Sequence, residues 1–144
     1  MIAVSGKIGM ERVVKIGLLE DNPAIIDYMK NMFAMAGYEV YPHIQSETLL
    51  QTLLAAVQTG APLPYDVLVI DILLPGELSG TDTIAQLRRW ITPQQLPIVV
   101  VSACSQLKLE WVEATFSGIK TLRKPFKISA LLQLIEQVRV NSSG

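Results

Sequence analysis

The chain has 144 residues, a mass of 15.9 kDa and a formal net charge of -1, a length that corresponds to one domain. Half of its residues are hydrophobic and 17% are charged, a composition that excludes a disordered or fibrous protein. Twelve basic residues against thirteen acidic ones leave no cationic excess for binding phosphate backbones, so we expect no direct contact with nucleic acid or a membrane surface.

Residues 1–12 precede the first predicted strand, and we interpret them as an N-terminal extension. The first ten contain a single lysine and a stretch that glycine interrupts, so they lack the apolar core of a secretory signal. Elsewhere charged residues, glycine or proline break every apolar run before the roughly 18 residues that a bilayer span needs. We therefore expect a cytoplasmic protein.

Short apolar runs predict the strands. Residues 13–19, 66–70 and 98–101 are rich in valine and isoleucine and alternate little, as strands buried on both faces do. Residues 39–43 and 119–123 are weaker strand candidates. The sequence therefore predicts five strands.

Helix-length segments lie between these runs. The first begins at a capping Asn22 followed by Pro23 and ends at Gly37, and the second begins at a capping Ser46 and ends at Gly60. Apolar residues at helical spacing predict three more helices over residues 81–91, 105–117 and 129–140. Such alternation favours an α/β fold, a parallel sheet with helices on both faces joined by right-handed crossovers.

Ligands of such sheets bind beyond the carboxyl ends of the strands, and polar residues stand at these positions. Glu20 and Asp21 follow the first strand, Asp71 the third, Ser102 the fourth and Lys124 the fifth. Two carboxylates 4 Å apart repel by about 4 kcal/mol at an effective dielectric constant of 20, so three together call for a cation. Oxygen ligands without histidine or cysteine favour Mg²⁺.

His43 and Cys104 occur once each, which excludes an intrachain disulfide and a zinc site built from several histidines or cysteines. We interpret His43 as a structural or surface residue. Cys104 is interpreted as a packing residue, because a reactive thiol needs an activating neighbour.

Together these motifs resemble the receiver domain of two-component response regulators, the CheY-like family. The resemblance extends from about residue 14 to residue 140, and it depends on Glu20-Asp21, Asp71 in VLVIDILLPG, Ser102-Ala103 after VVV, and Lys124-Pro125-Phe126. It implies a flavodoxin-like, doubly wound sheet of five parallel strands in the order 2-1-3-4-5 with five helices. The receiver domain would then cover residues 13–140 and leave 141–144 as a tail.

The resemblance also implies a role for each matching residue. Asp71 would be the phosphoacceptor, a nucleophile that becomes an aspartyl phosphate. Asp21 would bind Mg²⁺ directly, Glu20 mainly through water, and Asp71 together with the backbone carbonyl of Leu73 would complete the protein ligands. The hydroxyl of Ser102 and the ammonium of Lys124 would bind the phosphoryl group.

Three features depart from or qualify the family pattern. Thr121 stands at the switch position, where the family usually has an aromatic residue or histidine, and the loop over residues 75–80 is one residue longer than usual. The resemblance implies that Leu73 and Cys104 line the path of the hydrolytic water. Neither side chain orients water well, so we expect slow self-dephosphorylation and a long-lived signal, or dependence on a phosphatase. The resemblance further implies a cis peptide before Pro125.

We therefore expect a phosphorelay receiver that catalyses only its own phosphorylation and dephosphorylation. Its partners would be a sensor histidine kinase or phosphotransfer protein and a downstream protein, which would bind the face formed by the fourth helix, fifth strand and fifth helix. The receiver would be a monomer or weak homodimer, either standing alone or forming part of a larger regulator.

The same residues bear on three other functions. A receiver-like interaction module that is never phosphorylated is favoured only by Thr121 and the longer loop. A phosphatase of the haloacid dehalogenase type would need an acid at Leu73, and a flavin carrier would need a loop richer in hydroxyl groups and glycine than EDNPAI.

Overall fold

The computed structural model describes residues 13–74 and 79–143, in which five strands alternate with five helices. The predicted extension over residues 1–12 lies outside the described residues, as do residues 75–78 of the longer loop and residue 144. The elements in chain order are β1 (Lys15–Leu19), α1 (Pro23–Met35), β2 (Glu39–His43), α2 (Ser46–Thr59), β3 (Val67–Ile70), α3 (Gly80–Arg88), β4 (Ile98–Ser102), α4 (Gln106–Thr115), β5 (Ile119–Arg123) and α5 (Ile128–Ser143).

The strands form one parallel sheet in the order β2-β1-β3-β4-β5, which confirms the predicted flavodoxin-like topology. Helices α2, α3 and α4 pack on one face of the sheet, and α1 and α5 pack on the other. Every residue of β3 and β4 is buried, which explains why their sequences alternate so little. Strand β2 lies at an edge and contains Pro42, which a central strand would not tolerate.

Of the three caps predicted for the first two helices, the structure confirms two and contradicts one. Asn22 caps α1 as expected, since its side chain accepts from the backbone of Ala24 and Ile25. The prediction that Ser46 caps α2 is wrong, because Ser46 is the first helical residue and Gln45 occupies the cap position. Gly60 ends α2 as predicted, with a left-handed φ of 72°.

The last three helices also differ from the predicted ranges. Helix α3 begins one residue earlier, after a capping box between Ser79 and Asp82, and ends at Arg88 instead of residue 91. Helix α4 is shorter than predicted at both ends because Ser105 caps it and Phe116 is extended. Helix α5 continues to Ser143, so residues 141–143 are helical although they were predicted to be a tail.

Candidate functional site

Four of the predicted site residues lie at the carboxyl edge of the sheet. Glu20, Asp71 and Ser102 are buried, with 1%, 6% and 0% of their surface exposed. The ends of the strands fix their backbones, since the Asp71 amide donates to the Leu19 carbonyl and the Lys124 amide donates to the Ser102 carbonyl at 2.8 Å. The sheet therefore brings two carboxylates, a hydroxyl and an amine to one edge.

Lys124 joins the two buried carboxylates. Its Nζ lies 2.9 Å from Asp71 Oδ2 and 3.1 Å from Glu20 Oε1. Burial alone would lower the pKa of Lys124, but hydrogen bonds and charge interactions with Asp71 and Glu20 outweigh burial and raise it. The amine is therefore held as an ammonium, which compensates part of the cost of burying the carboxylates.

Backbone amides hold the remaining oxygen of each carboxylate. Asp71 Oδ1 accepts from the Leu73 amide at 2.8 Å, and Glu20 Oε2 accepts from the Asn22 amide at 3.2 Å. Both amides belong to the residue two positions further along the chain, at the start of the loop after the strand. The loops thereby fix the orientation of the two acids, while the Leu73 side chain remains 56% exposed.

Asp21 does not complete the expected cluster of three acids. Its residue is exposed, and within residues 13–74 and 79–143 no three acidic, histidine or cysteine side chains are close enough together to hold a metal ion. Glu20 and Asp71 nevertheless share one ammonium and so carry an excess of negative charge. Because Mg²⁺ usually binds one or two carboxylates and keeps several waters, the carboxylate oxygens of Glu20 and Asp71 are chemically suited to this ion.

The hydroxyl of Ser102 contacts the loop that follows β4. Its Oγ accepts a hydrogen bond from the Cys104 amide at 3.3 Å. The carbonyl of Cys104 in turn accepts from Arg123 Nε at 3.1 Å. Arg123 was not among the predicted site residues, and its only sequence signal is its position immediately before Lys124.

Thr121 is bonded to helix α4. Its amide and its hydroxyl both donate to Glu113 Oε2, at 2.9 Å and 2.6 Å. Sequence reasoning missed Glu113, because an exposed acid on a helix carries no signal of a partner on a strand. The Lys124–Pro125 peptide bond, which directly follows β5, is cis.

His43 takes part in a hydrogen-bonded cluster at the edge of the sheet. Its Nε2 lies 2.6 Å from the Tyr65 hydroxyl and its Nδ1 lies 3.0 Å from Thr48 Oγ1, while burial lowers its pKa. Its backbone carbonyl accepts from the Glu20 amide. These contacts agree with the interpretation of His43 as structural. Cys104 is half-buried and packs against the core, as expected of a packing residue.

Within residues 13–74 and 79–143, no helix is both long and apolar enough to cross a membrane.

Comparison with known proteins identifies the family of the chain. The sequence model of the response regulator receiver domain matches residues 16–136. The DNA-binding dual master transcriptional regulator RpaA of Synechocystis is 28% identical over 119 residues, which are 82% of this chain and 46% of that protein. The chain thus spans about half the length of this curated relative.

Solved structures share the fold. A response regulator receiver protein from Sinorhizobium medicae has a TM-score of 0.74 and 23% identity, with 92% of this chain and 98% of that chain covered. The response regulator TrrA from Thermotoga maritima, solved in complex with Mg(2+)-BeF, has a TM-score of 0.71 and 20% identity over 88% of this chain and 99% of that one.

Proposed function

The chain belongs to the response regulator receiver domain family of two-component systems, and from this premise we propose that Asp71 accepts a phosphoryl group. The donor would be the phosphohistidine of a sensor histidine kinase or of a phosphotransfer protein. The observation that carries the proposal is the buried Asp71 carboxylate, which is bonded to Lys124 and lies beside the second buried acid, Glu20. The receiver domain would comprise residues 13–140, together with the helical residues up to 143.

In the proposed reaction a carboxylate oxygen of Asp71 attacks phosphorus in line with the bond to the donor imidazole. The new P–O bond forms as the P–N bond breaks, and the electron pair of that bond stays on the imidazole nitrogen. Lys124, already paired with Asp71, would bind a phosphoryl oxygen, and the hydroxyl of Ser102 would donate to another. The product is an aspartyl phosphate, so the chain catalyses only its own phosphorylation and dephosphorylation.

We further propose that Glu20, Asp21, Asp71 and the carbonyl of Leu73 hold Mg²⁺. The bound ion would supply charge neutralisation at the phosphoryl oxygens. The oxygen donors and the excess negative charge of Glu20 and Asp71 support this, as does the Mg(2+)-BeF complex of TrrA.

The phosphorylated domain would act on a downstream protein through the face of α4, β5 and α5. Two large apolar side chains of α4 support this role, since Leu107 is 78% exposed and Trp111 is 48% exposed. RpaA is named as a DNA-binding regulator, but this chain has a net charge of -1 and lacks the basic excess of a DNA-binding surface. We therefore propose protein binding rather than direct DNA binding.

Labelling with acetyl phosphate tests the proposed function. The wild-type protein, incubated with acetyl phosphate and Mg²⁺, should gain the mass of one phosphoryl group, and Asp71→Asn should gain none. Asp66→Asn is a matched control, because Asp66 lies at the opposite end of β3. Absence of Mg²⁺-dependent labelling would favour the alternative, a receiver-like interaction module that is not phosphorylated.

A further inference from the structure

We propose that the N-terminal extension, residues 1–12, docks into an apolar groove at the amino edge of the sheet, between the ends of α2 and α3. The groove lies at the opposite end of the strands from Asp71, since it includes Asp66, the residue before β3. The inference goes beyond the proposed function and does not depend on phosphorylation. The occupant of the groove would be a segment of the same chain.

The groove has a volume of about 700 Å³ and carries apolar side chains. Trp90, which follows α3, is 58% exposed there. Val57, near the end of α2, and Leu63, in the loop after it, are half-buried and pack against the core. A groove of this size that carries an exposed indole beside other apolar side chains is typical of a binding surface.

The extension joins the fold at the wall of this groove. Asp66 lines the groove, and two hydrogen bonds connect it to Lys15, the first residue of β1. The Lys15 amide donates to Asp66 Oδ2 at 2.8 Å, and the Asp66 amide donates to the Lys15 carbonyl at 2.7 Å. Two residues, Val13 and Val14, separate Lys15 from the extension. The extension therefore begins a few residues from the groove.

This connection favours the extension over a separate molecule as the occupant. Twelve residues can span up to about 40 Å when extended, which is ample for a groove at their point of attachment. A covalently linked segment has a high effective concentration at the groove, whereas a second copy or another protein would lose translational freedom on binding.

The composition of the extension suits the groove. Its first ten residues have six apolar side chains, which lie in the ranges 1–4 and 8–10, and one charged side chain, Lys7. Lys7 is also suited to the end of α2, where the helix dipole places partial negative charge and the last turn has no basic residue. The extension can therefore cover apolar surface and place its cation near the end of a helix.

The experiment measures how readily acrylamide quenches the fluorescence of Trp90 in the full chain, in a Trp111→Phe background. Ile8→Asp places a charge in an apolar part of the extension, and Ser5→Asp is the matched control, because it adds the same charge at a polar residue. We expect Ile8→Asp to raise the quenching constant about twofold, since release of the extension returns the indole to solvent. Ser5→Asp should change the constant by less than about 1.2-fold.

The same variants in a Trp90→Phe background report on Trp111, which lies on α4 and outside the groove. Quenching of Trp111 should not change if the extension covers only the groove. Equal quenching of Trp90 in wild type, Ile8→Asp and Ser5→Asp would overturn the proposal. Shielding of Trp90 that increases with protein concentration would also overturn it, because a second copy would then cover the groove.

A nitroxide attached to residue 5 gives a second measurement that does not depend on the folding of Ile8→Asp. The label is placed on Ser5→Cys in a Cys104→Ser background, and it should quench Trp90 more strongly than Trp111. Equal quenching of the two tryptophans by the nitroxide would overturn the proposal even if Ile8→Asp disturbs the whole fold. None of these measurements involves Asp71, so the proposed function and the docking of the extension can fail separately.

Discussion

The ammonium of Lys124 lies 2.9 Å from Asp71 Oδ2, although 53 residues separate the two in the chain. The same ammonium also binds Glu20, so one cation serves two buried acids. A buried carboxylate that loses its partner charge is costly to keep ionised. Lys124 is therefore as important for the stability of the fold as for the proposed chemistry.

Lys124→Met should destabilise the protein by about 2 kcal/mol, since it leaves Glu20 and Asp71 uncompensated in a site that is only partly open to solvent. Urea denaturation at neutral pH measures this loss. Lys127→Met, which removes an exposed lysine three residues further on, is the control and should change the free energy of unfolding by less than about 0.5 kcal/mol. Equal effects of the two substitutions would contradict the assigned role of Lys124.

Asp71→Asn should have the opposite effect on stability. The amide keeps the shape of the carboxylate but loses one of the two oxygens that accept from Leu73 and Lys124. It also removes one of two like charges, so Lys124 and Glu20 become a balanced pair. We expect the free energy of unfolding in urea to stay the same or to rise, while labelling by acetyl phosphate is abolished. A large loss of stability in Asp71→Asn would mean that the missing label reflects misfolding.

The positions of Glu20, Asp71 and Lys124 could be predicted from the sequence, because each directly follows an apolar run and parallel strands end at one edge of a sheet. The direct contacts of Lys124 with both acids could not be predicted, since they depend on the conformation of a long side chain. The pairing of Thr121 with Glu113 depends on how α4 packs against β5, which no local pattern encodes. The prediction of a cap at Ser46 is wrong for a similar reason, because the backbone conformation as well as the residue type decides where a helix begins.

Leu73→Asn should shorten the lifetime of the aspartyl phosphate. The Leu73 side chain is exposed beside Asp71, and its amide is bonded to Asp71 Oδ1, so a polar group at this position can orient an attacking water. We expect the decay to accelerate about tenfold. This is less than the roughly hundredfold or more that a general base contributes, because an amide can orient a water but does not take its proton. The decay is followed by intact mass after acetyl phosphate has been removed.

The wild-type label should persist well beyond seconds, and Leu107→Asn should decay at the wild-type rate. Leu107 is a suitable control because it is also an exposed leucine but lies on α4. Rapid decay of the wild-type label would contradict the prediction that Leu73 and Cys104 make dephosphorylation slow.

Gly80→Ala should disturb the site from outside it. A Cβ at residue 80 would lie 2.4 Å from Ile72 Cα and 2.9 Å from the carbonyl oxygen of Asp71, so α3 or the end of β3 would have to shift. We expect a loss of about 2 kcal/mol in the free energy of unfolding and slower labelling of Asp71. Gly60→Ala meets no atom within 4 Å, so its left-handed backbone alone should cost about 1 kcal/mol without affecting labelling.

A hydrogen bond joins the α1–β2 connection to α5, and it should make the free energy of unfolding decrease at alkaline pH. The hydroxyl of Tyr38 donates to Glu136, whose carboxylate also accepts from Arg139 at 2.7 Å. Burial, together with the hydrogen bond to Glu136, raises the pKa of Tyr38 to about 12. Below pH 10, the ordinary pKa of tyrosine, the proton is present in both the folded and the unfolded chain, so the full stabilisation is present.

Between pH 10 and about 12 the unfolded chain releases the Tyr38 proton and the folded chain retains it, so the free energy of unfolding should fall as the pH rises. Tyr41 and Tyr65 also have raised pKa values and contribute to the same slope, so the measured quantity is the difference between wild type and Tyr38→Phe. Urea denaturation at pH 9 and pH 11 should give a smaller decrease for Tyr38→Phe. Identical decreases in the two proteins would contradict the raised pKa of Tyr38.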